Sequence, residues 1–148
     1  MAIQEWQYRG KKIENIPEGI IGFTYCITTD PDSPDRKYYW GKKQVLFSKK
    51  IKISKKEKKL YSTKKRIKRV FSESDWRTYT GSSKELNEWI WNNPDKLVSR
   101  EILQFHKSKI DLTYREIELL IIHSVLFRDD CWNLCIGNRF WKGKISKL

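Results

Sequence analysis

Residues 22–43 read GFTYCITTDPDSPDRKYYWGKK. Phe23 to Thr28 and Tyr38 to Trp40 are rich in β-branched and aromatic side chains, which suit a pleated, half-buried surface. Between them, Asp30-Pro31-Asp32-Ser33-Pro34-Asp35 concentrates turn chemistry: each proline fixes φ, and the Asp side chains bond their own backbone. The stretch is expected to form an antiparallel hairpin that brings Tyr25 and Tyr39 onto neighbouring strands, with Gly41-Lys42-Lys43 leaving the second. Two phenols and a lysine at one sheet edge can serve phosphate chemistry. They can equally be cross-strand aromatic packing, worth a few tenths of a kcal/mol per pair, and β-propensity by itself favours packing.

A hairpin of this size does not stand alone, so its flanks belong to the same domain. Residues 1–21 carry Trp6 and Tyr8 and then an apolar stretch broken by Pro17 and Gly19, which reads as an irregular cover with an edge strand. Val45 to Phe47 either extends the second strand or begins another. Residues 71–83 read as a structured loop. Ser82-Ser83-Lys84-Glu85 fits a Ser-x-x-Glu capping box ahead of Leu86, Trp89 and Ile90 at helical spacing, and Pro94 stops that helix. Residues 99–106 predict a third strand. Thr113 and Glu116 form a second capping-box pattern, opening a helix over 113–127 whose core stripe is Ile117, Leu120, Ile121, Ser124 and Val125. The sum is a small α+β domain spanning 1–148: a three-stranded antiparallel sheet flanked by helices, with a basic insertion at about 49–69 after the second strand.

That insertion locates the charge. The chain carries a net charge of +13, and residues 42–69 hold 14 Lys/Arg against the single acid Glu57. The rest of the chain is balanced, so the whole excess lies in one segment, as a polyanion-binding arm requires. Lys43, Lys49, Lys50, Lys64, Lys65, Arg66 and Arg69 are the candidate phosphate contacts. The segment is expected to be a flexible or extended loop that orders on a polyanion. It lacks the Trp/Phe/Leu face of a membrane-lying helix, and no apolar run approaches the roughly 18 residues of a membrane span. MAIQEWQYRGKK has no apolar core of a signal peptide. With 39% hydrophobic and 14% aromatic residues the chain is too apolar for a disordered polybasic protein. Cys26, Cys131 and Cys135 are an odd set without zinc spacing, and His106 and His123 do not complete one, which points to a reducing cytoplasm without structural zinc.

Taken together, these residues resemble the GIY-YIG nuclease family. Gly22-Phe23-Thr24-Tyr25 stands for the GIY half, one residue longer than the simplest motif, and Tyr39-Trp40-Gly41 for the YIG half. Ile27-Thr28-Thr29, a polar turn and Lys37-Tyr38-Tyr39 complete the usual opening. Asp75 to Ser83 (DWRTYTGSS) followed by a helix is similar to phage-encoded members, including Seg-type homing endonucleases, as are a glutamate-bearing helix and Asn133 near the end. The resemblance spans about residues 22–140.

It implies a phage-encoded, metal-dependent DNA endonuclease or nickase, acting on duplex DNA in the cytoplasm of the bacterial host such an origin entails. Tyr39 would be the general base and Lys42 would lower its pKa from about 10. Tyr25 would orient water or the scissile phosphate. An arginine would stabilise phosphoryl charge; Arg77 is chosen, with Arg66 and Arg69 as alternatives and simple phosphate contact as Arg77's other reading. Glu116 would hold one Mg²⁺ or Mn²⁺, unless it serves as a capping-box residue, with Glu118 as the other candidate ligand. Trp76, Tyr79, Trp89 and Trp91 could stack on bases or pack in the core. The rival reading is a non-catalytic DNA- or RNA-binding protein on the same fold. The sequence leaves the oligomeric state open.

Overall fold

The structure, a computed structural model, describes residues 2–147. Strand β3 (Gly22–Thr29) pairs antiparallel with β4 (Lys37–Gln44) in unbroken register from Gly22↔Gln44 to Thr29↔Lys37. The turn between them uses Asp30 at φ 50°, a left-handed conformation Asp tolerates better than most residues. Strand β7 (Val98–His106) pairs antiparallel along the other edge of β3, with a bulge at Thr24/Tyr25.

The sheet has five strands rather than the expected three, in the order β2-β1-β7-β3-β4. The two additions are β1 (Gln7–Tyr8), parallel to β7, and β2 (Lys11–Lys12), antiparallel to β1. Their origin is Trp6, which is fully buried and donates its indole N–H to the Trp76 carbonyl at 2.7 Å. Anchoring that ring seats the next two residues against β7, and Arg9-Gly10, both at positive φ, reverse the chain. The N-terminal cover is thus partly regular sheet.

Alternation divides the sheet into two faces. Phe23, Tyr25, Ile27 and Tyr39 join Trp6, Trp76, Leu86, Val98 and Ile102 in one core, closed by helix α2 (Lys84–Asn92). Trp40 and partly buried Cys26 face helix α3 (Lys109–Ile122) and pack with Leu120, Val125, Leu126, Cys131 and Ile136. No described helix is long and apolar enough to cross a membrane.

β4 is an edge strand, and its outward backbone groups are satisfied one after another rather than left bare. Tyr38 N–H donates to Asp130 O at 2.9 Å and Tyr38 O accepts from Trp132 N–H at 2.7 Å. Asn133 takes the next position with both ends of its amide: its Oδ1 accepts from Trp40 N–H at 3.1 Å and its Nδ2 donates to Trp40 O at 2.8 Å. Asn133 is 5% exposed, so Asn133→Ala strands a buried donor and a buried acceptor together and should cost about 2–3 kcal/mol. Urea denaturation checks this; a loss within a few tenths of a kcal/mol of zero would show that water replaces the amide.

Both helix starts differ from the expected boxes. Ser83, not Ser82, caps α2, accepting from Leu86 N–H. Helix α3 begins four residues earlier than expected because Ser108 accepts from Asp111 N–H, so Thr113 and Glu116 lie inside the helix and cap nothing. α3 also ends earlier, at Ile122, followed by a separate 3₁₀ turn at Val125–Phe127.

The basic insertion is ordered secondary structure rather than a loop. Strand β5 (Leu46–Lys52) and strand β6 (Ile67–Glu73) form a separate two-stranded antiparallel ribbon, joined across the short helix α1 (Lys55–Leu60). Phe47, Ile51, Ile67, Val70 and Phe71 supply β-propensity between the lysines, and Ile53 is buried at the tip. Ser74 fastens the base, donating N–H to Val45 O and Oγ–H to Gln44 O, both at 2.7 Å. A short terminal pair, β8 (Cys135–Ile136) and β9 (Phe140–Trp141), completes the chain, and all three cysteines are free.

Candidate active site

The edge of β4 between Tyr39 and Lys42 gathers side chains from both faces of the sheet. Tyr39 lies on the α2 face, and its hydroxyl hydrogen-bonds Ser82 Oγ at 2.8 Å. Ser82, one residue before the Ser83 cap, is thereby engaged with the sheet rather than with the helix. Tyr25 packs behind Tyr39 with its ring tilted, the centroids 6.2 Å apart, and Tyr79 meets Tyr25 edge to face at 6.0 Å. A cleft of about 220 Å³ opens beside Tyr39, lined by Ser82, Lys84, Trp132, Asn133 and Trp141 among others. Gly41 occupies the strand position between Trp40 and Lys42. A Cβ there would stand 2.6 Å from the Tyr25 hydroxyl oxygen, so the strand is bare at that point of necessity.

On the α3 face, Glu116 Oε2 accepts the outward N–H of Lys42 at 3.1 Å, continuing the series that begins with Asn133. The Lys42 ammonium donates to Thr113 Oγ1 at 2.8 Å, one helical turn before Glu116. The helix itself is seated by buried His106, whose Nδ1 lies 2.6 Å from Asp111 Oδ2 and whose Nε2 lies 3.3 Å from Thr24 Oγ1. These contacts fix the first turn of α3 against β3 and β7, and therefore the reach of Glu116.

Burial raises the Glu116 pKa, against the opposing pull of Lys42. Burial also raises Tyr39; the Ser82 hydrogen bond pulls it down, and Tyr79 and Glu116 add to the rise. Tyr25 is raised well above the usual phenol, chiefly by burial, then by Tyr39 and Tyr79 and, more weakly, by Glu116. The carboxylate and the two phenols therefore act on one another although they approach from opposite faces.

The structure brings Tyr25, Tyr39, Lys42 and Glu116 together, with corrections. Lys42 does not lower the Tyr39 pKa: period-2 alternation points it to the other face, and its ammonium is given to Thr113. The capping reading of Glu116 is overturned by the earlier start of α3. Glu118 is instead paired with Arg115 at 3.1 Å. Arg77 is turned away: its guanidinium is engaged by Glu14 O, Asn15 Oδ1 and Glu73, none of them in the Tyr39–Glu116 cluster. Trp76 is 1% exposed, a core residue whose ring faces no solvent for a base to stack on. Tyr79 and Trp89 likewise pack against the core, whereas Trp91 is exposed. Lys43 is ion-paired with Asp75 at 2.5 Å and lies over the Tyr79 ring rather than free on the surface. The other basic candidates, Lys49, Lys50, Lys64, Lys65, Arg66 and Arg69, are exposed.

Sequence reasoning missed Ser82 and Thr113, each read only as a helix cap, and Lys84, which lines the Tyr39 cleft. It also missed Arg100, buried in β7, which donates to Gln4, Arg77 and Tyr79 carbonyls and binds three loops together. A single arginine amid apolar alternation was the available signal.

A divalent ion fits this site only as a sparsely liganded one. Among the described residues no group of three or more His, Cys, Asp or Glu is placed to hold a metal. Glu116 suits a hard cation that keeps most of its waters: one carboxylate oxygen is fixed by Lys42 N–H, and the other takes no protein hydrogen bond among the described residues. A family model described as "Putative endonuclease segE, GIY-YIG domain" matches residues 6–133. No curated protein and no solved structure matches the chain.

Proposed function

The chain belongs to the SegE-type GIY-YIG endonuclease family, and from that membership we propose that it is a divalent-metal-dependent endonuclease or nickase hydrolysing phosphodiester bonds in duplex DNA. The observation that carries the reading is the edge of β4. Tyr39 and Glu116 flank a strand position stripped to glycine, and Glu116 is aimed by the strand's own N–H group.

In this reading Tyr39 accepts a proton from the attacking water, and Ser82 holds the phenol towards the cleft. Tyr25, buried, keeps the Tyr39 ring in place and does not itself reach solvent. The Lys42 ammonium, steadied by Thr113, supplies positive charge to the phosphoryl oxygens in the place first given to Arg77. Gly41 leaves the room beneath the strand that the Tyr25 hydroxyl fills, so that Tyr25 can back the Tyr39 ring at this edge. Mg²⁺ or Mn²⁺, held by Glu116 and the substrate phosphate, would supply Lewis-acid stabilisation of the leaving oxygen. The exposed lysines and arginines of residues 49–69 supply salt-sensitive affinity for the DNA backbone.

Supercoiled plasmid incubated with the protein in Mg²⁺ or in EDTA tests this. Nicking or linearisation that needs the metal is the expected result. Salt-sensitive binding with no cutting in Mg²⁺ or Mn²⁺, on supercoiled or linear DNA, would leave the non-catalytic binding protein as the better reading.

A further inference from the structure

We propose that the β5–β6 ribbon enters the major groove of duplex DNA and reads bases with one face, so that this chain carries its own source of sequence preference. The inference rests on the DNA endonuclease reading and adds to it a readout that backbone contacts cannot give.

The register divides the ribbon into two faces. Phe47, Lys49, Ile51, Lys68 and Val70 lie on one, and there the Lys68–Glu57 pair ties β6 to helix α1. Ser48, Lys50, Lys52, Ile67, Arg69 and Phe71 lie on the other. Arg69 reaches Ser48 Oγ at 3.4 Å across the strands, as two residues on one face should. On this second face Lys50, Lys52 and Arg69 are exposed, with Ile67 at 55% and Phe71 at 58%. Of the 14 basic residues in 42–69, only Lys43 and Lys68 are ion-paired among the described residues. The arm therefore presents its positive charge free to a polyanion.

Dimensions and chemistry select the occupant. Seven residues per strand make an arm about 20 Å long, and the B-DNA major groove admits a two-stranded ribbon, whereas the deep, narrow major groove of A-form RNA does not. Arg69 can address guanine O6 and N7 with its two-pronged guanidinium, Phe71 can meet a thymine methyl, and Ser48 can donate or accept. A platform for single strands would need several stacking rings, and this face has one. Lys64, Lys65 and Arg66, next to β6, fall where backbone phosphates would pass. Position completes the case: the ribbon springs from the strand that carries Tyr39, Gly41 and Lys42, separated from it only by Val45. A duplex held by the arm is thereby presented to the candidate active site.

The test is binding in EDTA, where the proposed metal-dependent cutting is suppressed. The full chain, Arg69→Ala and a Lys64→Ala/Lys65→Ala control are each used to select from a randomised duplex library, with folding checked by circular dichroism. The wild type should enrich a guanine-containing site, and guanine N7 methylation should block its binding. Arg69→Ala should lose preference at one guanine position by tenfold or more. The lysine control should weaken all sequences alike and flatten the salt dependence. No enriched sequence, or an Arg69→Ala loss equal across all sequences, overturns the proposal. Base-specific binding in a protein that cuts nothing in Mg²⁺ upholds the ribbon and removes the nuclease; cutting indifferent to the ribbon face does the reverse.

Discussion

Glu116→Gln should abolish plasmid cleavage, by about 10³-fold or more, while leaving duplex affinity within about twofold. Glutamine keeps the shape, and its amide oxygen can still accept the Lys42 N–H, so α3 stays seated against β4. What disappears is the negative charge. The same substitution should make the protein more stable at neutral pH, and the sign follows from burial. The folded state raises the Glu116 pKa, so the protonated form is the one the fold prefers. Its contribution to stability is complete below the unfolded carboxylate pKa and is lost as pH rises through the folded value. Glutamine mimics the protonated form at every pH. Thermal melts of the two proteins should therefore converge in acid and separate towards neutrality, with Glu116→Gln the higher. Loss of cleavage with gain of stability marks a group kept for chemistry rather than for folding. Undiminished cleavage in Glu116→Gln would remove the carboxylate from the reaction.

The parts of this molecule legible in its sequence are those with local causes. The β3–β4 hairpin announces itself through two β-rich runs around an Asp/Pro turn, and β7 through apolar alternation. The two-residue strands β1 and β2 carry no periodicity; they exist because Trp6 is buried against Trp76, 70 residues away. Lysine density hides the ribbon, because it masks the period-2 placement of Phe47 with Ile51 and of Ile67 with Phe71 and resembles disorder in composition. The helix starts are obscured because each true cap, Ser83 and Ser108, has a more conspicuous box beside it. In the site, the two tyrosines, Lys42 and Glu116 could be picked out by type and order. Their division between two faces could not, since it follows from the edge position of β4, which no local pattern encodes. The same edge explains why Asn133 and Glu116 do related work: both satisfy outward N–H groups of one strand, two residues apart. One does so buried and fully bonded, the other with an oxygen to spare.

The second large effect is expected at Tyr39. Tyr39→Phe keeps the ring that packs on Tyr25 and loses only the hydrogen bond to exposed Ser82, which should cost about 1 kcal/mol or less. Cleavage should fall by roughly 10²–10⁴ if the phenol is the base. The pH profile separates that role from a merely orienting one. Burial holds the Tyr39 pKa above its ordinary value of 10.0, so the phenolate is a small fraction at neutral pH and grows about tenfold per pH unit below its pKa. Wild-type cleavage under single-turnover conditions should therefore climb with that slope through the range from pH 7 to about 9.5. The residual activity of Tyr39→Phe should lack the rise. Ser82→Ala offers a finer probe, because the Ser82 hydrogen bond lowers the phenol pKa. Removing it shifts the rising limb to higher pH and lowers the rate at any fixed pH on the slope, with plasmid binding unchanged. A wild-type rate already level by pH 8 would exclude the phenolate as the rate-limiting base. Tyr39 would then be left to position water through its neutral hydroxyl, and its loss should be nearer the lower end of that range at every pH.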